Sequence, residues 1–161
     1  MRRVFILLFL IIFFGCKKDI LPKPKAYLSL TYPEKTYEDL TLSRPYSFKV
    51  SKMATIINEK NNWLSIKYPK LKASIDITYR PLKNNIRELL TEAEKLVFKH
   101  TAKADRIIPQ DFINKEKRVF GSIYEITGNA ASQIQFHVTD STNNFIKGSL
   151  YFYAKPNYDS I

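Results

Sequence analysis

The chain has 161 residues, 45% hydrophobic and 14% aromatic, enough to bury the core of one domain, and a formal charge of +11. Its one cysteine excludes an internal disulfide, and its four glycines form no glycine-rich phosphate loop. The lysines are scattered, and loss of Arg2 and Arg3 with the export signal described next lowers the charge to +9, so nucleic acid is not an expected partner.

Arg2 and Arg3 precede an apolar run from Val4 to Phe14. About 11 residues suit the ~7–15 of a signal h-region and fall short of the ~18 that cross a bilayer. The run stops at Gly15-Cys16, the pattern of a bacterial lipoprotein signal, although Phe13 and Phe14 stand where a leucine and a small residue are commoner. Residues 1–15 are therefore expected to be a lipoprotein signal peptide, with diacylglycerol joined to the Cys16 sulfur. Two or three acyl chains on one residue hold a protein stably on a bilayer, at ~0.8 kcal/mol per buried methylene. Residues 16–25 follow as the lipidated cysteine and a Pro/Lys tether, with Pro22 and Pro24 favouring an extended backbone.

Residues 26–161 are expected to form a single α+β domain. Ala26, Leu28, Leu30 and Tyr32 alternate with polar residues, which predicts a strand ended by Pro33. Short strands are predicted over Tyr46–Val50 and Thr55–Ile57. Trp63–Tyr68 and Ala73–Tyr79 alternate more clearly and are joined by Pro69-Lys70-Leu71-Lys72, which predicts a hairpin. Ile86, Leu89, Leu90, Ala93, Leu96 and Val97 recur at helical spacing, predicting a helix over about 85–104, opened by Asn85 with Glu88 reaching back as in a capping box. A polar connection is expected from Asp105 to Lys117. Val119–Thr127, apolar on both faces, looks like a central strand, and Ser132–Thr139 and Phe145–Ala154 complete the set. The order predicts a mostly antiparallel sheet covered on one face by the helix. The chain stops at Ile161 without a concluding element, which predicts a further C-terminal element beyond it.

No catalytic constellation emerges. There is no HExxH, CxxC or GxSxG, and neither His100 nor His137 has neighbours at metal-ligand spacing, so no metal and no catalytic residue are expected. Asp140-Ser141-Thr142 suits a turn better than a nucleophile. No cofactor is expected beyond the covalent lipid on Cys16. On the last strands Gln133, Gln135, His137, Tyr151 and Tyr153 fall on the polar side, where amides beside tyrosines make a candidate interaction surface.

Three stretches carry a resemblance: Leu21-Pro22-Lys23-Pro24-Lys25-Ala26-Tyr27-Leu28, Tyr68-Pro69-Lys70-Leu71-Lys72-Ala73, and GNAASQIQFHVTDSTNNFIKGSLYFYAKPNYDSI from Gly128 to Ile161. With these the chain resembles the GldD family of gliding-motility lipoproteins of the Bacteroidetes over nearly its whole length. The resemblance implies a non-catalytic envelope lipoprotein linked to type IX secretion, with other gliding lipoproteins or secretion-machinery proteins as partners and the bilayer held through Cys16. It also implies an outer-membrane location facing the periplasm and a helix past Ile161. The alternative from the residues alone is a periplasmic enzyme or glycan-binding lipoprotein using the sheet face as a cleft.

Overall fold

The computed structural model describes residues 34–153, nearly all within a compact unit spanning Lys35–Ile161; of a separate unit, Met1–Glu34, only Glu34 is described. The predicted export signal, Cys16, the predicted tether and the strand predicted over Ala26–Tyr32 lie outside the described residues. Nine strands and one α-helix follow among the described residues: β1 (Tyr37–Asp39), β2 (Lys49–Ser51), β3 (Thr55–Asn58), β4 (Leu64–Tyr68), β5 (Ala73–Pro81), α1 (Ile86–Phe98), β6 (Ala104–Asn114), β7 (Val119–Gly128), β8 (Ile134–Thr139) and β9 (Asn144–Phe152). β1 and β2 pair with each other, and the other seven form one sheet in the order β3-β4-β5-β9-β8-β7-β6. Every pairing is antiparallel. The class is α+β, mostly antiparallel sheet with one helix.

The β4–β5 hairpin forms where the alternation places it. Leu64 pairs with Ile77 and Ile66 with Ile75, so one face of both strands is apolar. Pro69, whose fixed φ suits a tight turn, opens the connecting 3-10 turn, and Lys72 closes it in the left-handed region at φ 48°. Leu64, Ile66 and Ile77 are buried together with Leu40 and Val50 from the segment that carries β1 and β2. Each such aliphatic side chain contributes about 1.5–3 kcal/mol by leaving water.

The helix sets its apolar stripe against the opposite side of the sheet. Leu89 and Ala93 pack with Phe145 of β9, and Val97 packs with Tyr124 and Ile126 of β7. Its start differs from the predicted capping box: the Asn85 side chain makes no cap hydrogen bond, and its Oδ1 accepts from the Lys83 backbone N–H at 2.9 Å instead. The α-helix ends at Phe98 and a 3-10 turn over Lys99–Ala102 follows, so helical structure stops short of the predicted end near residue 104, where β6 already begins.

The predicted polar connection from Asp105 to Lys117 is corrected to a strand, since β6 fills Ala104–Asn114. β6 is the edge of the sheet and is exposed along nearly all its length, so neither face needed apolar alternation to bury. Pro109 is tolerated there because an edge strand has a free hydrogen-bonding side. β7, predicted central, lies second from that edge.

Candidate functional site

Register sorts the side chains of the sheet into rows, because directly paired residues share a face. On the face met by α1, one row runs Lys67, Ser74, Tyr151, and the next runs Ser65, Asp76, Ser149, Gln135, Tyr124. The third runs Thr78, Lys147, His137, Ser122, Asp111, and the fourth brings Arg80 beside Phe145 and Thr139. This is the polar face of the sheet. Its hydroxyls hold its carboxylates: Ser65 donates to Asp76 and Ser122 to Asp111, both at 2.6 Å.

The five residues read from the sequence as one surface are placed in three settings. Gln135 and His137 are each only 5% exposed, so they are interior positions, unlike the surface expected for them. Gln135 Nε2 lies 2.6 Å from His100 Nε2 at the end of the helix, and the His137 ring stacks on Phe145 at 5.8 Å with Tyr124 at 6.1 Å on its other side. The physical reason is that α1 packs over their part of the polar face. Burial holds both His100 and His137 below the ordinary histidine range; at His137 the charges of Glu94 and Asp111 act in the opposite direction. His137 Nδ1 is buried without a hydrogen-bond partner among the described residues.

Gln133 donates from Nε2 to the Ala130 carbonyl at 2.8 Å and borders an open recess of about 520 Å³ with Ile108, Ile123, Ile134 and Leu150. Tyr151 and Tyr153 are exposed, at 37% and 57%. The Lys67 ammonium donates to the Tyr153 hydroxyl at 2.8 Å, and the Tyr153 backbone N–H donates to the Lys72 carbonyl at 2.7 Å. The lysine holds the Tyr153 hydroxyl below the usual phenol range.

Asp140-Ser141-Thr142 is a turn. Burial works to raise the pKa of Asp140, but its carboxylate accepts the backbone N–H groups of Asn144, Asn143 and Thr142, and these hold it well below the usual carboxylate range. Among the described residues no group of three or more His, Cys, Asp or Glu is arranged to hold a metal.

A smaller cavity, of about 110 Å³, was not singled out from the sequence. Thr78, Arg80 and Lys147 line it from the sheet, Trp63 from just before β4 and Glu92 from the helix, and Leu89, Ala93 and Phe145 give it apolar lining. The Trp63 indole N–H donates to the Tyr79 carbonyl at 3.1 Å, which fixes the ring as a wall. Sequence alternation does place Trp63 on the same side of the sheet as Lys147, but only the strand order brings β9 beside β5.

What the fold defines is a mostly antiparallel α+β domain, and comparison with known proteins supplies its class. A family model described as gliding motility lipoprotein GldD matches residues 17–161, the range that starts just after Cys16, so the class is a membrane-anchored lipoprotein of the cell envelope. The chain belongs to the gliding motility lipoprotein GldD family, which is not a known enzyme family. No curated protein and no solved structure matches it.

Proposed function

We propose that this chain is a non-catalytic binding or scaffold component of the gliding machinery, linked to type IX secretion. The observation that carries this is the family match over residues 17–161. Cys16, with its covalent lipid, is the anchor to the outer membrane on the periplasmic side, and residues 26–161 act as one domain held at that surface. Its partners are other gliding lipoproteins or proteins of the secretion machinery. The exposed Tyr151 and Tyr153, with Lys67 beside them, are the part of the expected interaction surface left free to meet a partner.

Deletion of the gene, followed by measurement of colony spreading on agar, tests the process. Loss of spreading, restored by the full chain and not by Cys16→Ala, is the expected result; spreading at the parental rate without the gene overturns the assignment. Labelled palmitate should enter the wild-type protein and not Cys16→Ala. A Tyr151→Ala, Tyr153→Ala double variant should remain on the membrane and fail to restore spreading.

A further inference from the structure

The cavity beneath Trp63 has an unbalanced charge. Arg80 and Lys147 bring two cations to its wall, and Glu92 brings one carboxylate. That carboxylate is engaged with Arg80 at 3.7 Å, in a pair whose members are both half-exposed. Among the described residues the Lys147 ammonium makes no hydrogen bond and has no carboxylate within ion-pair distance. Thr78 pairs directly with Lys147 across β5 and β9, and Arg80 lies two residues further along the same face, so the cations are diagonal neighbours. Between them the cavity carries one uncompensated positive charge in a half-buried setting, where a charge interacts more strongly than in water.

The remaining walls define the body of a ligand. Leu89, Ala93 and Phe145 are buried and apolar, and Trp63 is 40% exposed, so it offers its surface to whatever enters. A volume of about 110 Å³ holds three or four water molecules, at about 30 Å³ each in the liquid, and therefore a carboxylate with the first atoms of its body.

We infer that this cavity is a binding site for a small carboxylate, its charge held between Lys147 and Arg80 and its body resting against Trp63 and the apolar lining. A carboxylate fits better than a more highly charged oxyanion because it neutralises the single excess charge while leaving Glu92 in place. Burial presses Lys147 toward its neutral form, Glu92 opposes this, and Arg80 adds to it; an anion in the cavity relieves both pressures. The inference is independent of the scaffold role and survives its failure.

Trp63 is the only tryptophan in the chain, so its emission reports on this cavity alone. The full chain is titrated with glucuronate, with N-acetylglycine, and with glucose and inorganic phosphate as controls. The expected result is a saturable emission change with at least one carboxylate and none with glucose. Tighter binding of glucuronate assigns a sugar acid, and tighter binding of N-acetylglycine assigns a peptide-type carboxylate. Lys147→Met, which keeps the apolar stem, should weaken binding about tenfold or more, the worth of one charged hydrogen bond. Glu92→Gln should tighten it several-fold, and because Glu92 is half-exposed this variant leaves the fold intact. No saturable change with either carboxylate, binding of phosphate alone, or equal affinity in wild type and both variants overturns the proposal.

Discussion

The Phe136 ring lies over Gly148, its direct partner across β8 and β9, so closely that a Cβ on the glycine would run into the aromatic carbons. Gly148 is also the partner of Ile77 on its other side, which puts this contact where β5, β9 and β8 meet. Gly148→Ala should therefore destabilise the domain by about 1–3 kcal/mol, the usual cost of overpacking. Thermal unfolding measures it, and adding Phe136→Leu should restore part of the loss because the two changes share one contact. An unchanged melting temperature for Gly148→Ala would show that the ring has room to move.

Phe145 joins the helix to the sheet by packing with Leu89 and Ala93 while its ring stacks on His137. Phe145→Ala should cost roughly 3–5 kcal/mol, as large-to-small changes at buried aromatics do. Urea denaturation gives the value, and a loss below about 1 kcal/mol would contradict the packing described.

The turn between β8 and β9 depends on one carboxylate. Asp140→Ala removes the acceptor for three backbone N–H groups and should destabilise by roughly 1–3 kcal/mol, whereas Asp140→Asn keeps an acceptor oxygen and should lose less. Denaturation midpoints of the two variants, measured together, check the order.

Stability should fall in two steps as pH is lowered. His100 and His137 have folded-state pKa values pushed down by burial, so the unfolded chain takes up their protons first. Their contribution is fully present above about pH 6.5 and is lost as pH falls through the histidine range. Asp140, also depressed, has the same sign, and its contribution is lost below its ordinary value of 3.8. Urea midpoints from pH 8 to pH 3 should show both declines. His137→Phe, which keeps a ring between Tyr124 and Phe145, should flatten the first and leave the second. An identical profile in the variant would remove His137 from the account.

Alternation was legible where one face of a strand is apolar and the other polar, as in Leu64, Ile66, Ile75 and Ile77 against Ser65, Lys67, Ser74 and Asp76, and helical spacing was legible from Ile86 to Val97. β6 was not, because an edge strand exposed on both sides leaves no periodic trace, and Pro109 reads as a break. Gln135 and His137 alternate with Ile134, Phe136 and Val138, which identifies two sides of β8 but not which is wet. Here α1 packs near Gln135 and His137 on part of the polar side, through Phe145 and Tyr124, a fact set by tertiary packing far from β8 in sequence. The Lys147, Arg80 and Trp63 cavity was hidden for a related reason: β9 enters the sheet beside β5, and nothing local to either strand announces that pairing.

That insertion of β9 also sets a schedule. In the ladder, β3-β4-β5 and β6-β7-β8 are connected only through β9, the last of the described strands to be synthesised. Pro81 ends β5 and Asn144 opens β9, so β5 waits for about 63 further residues before its second partner exists. At about 5–20 residues per second that is a delay of roughly 3–12 s, during which the sheet stands as two unjoined halves. Until β9 has been made, neither half can complete its ladder, so the order of synthesis makes the last strand the one that closes the sheet.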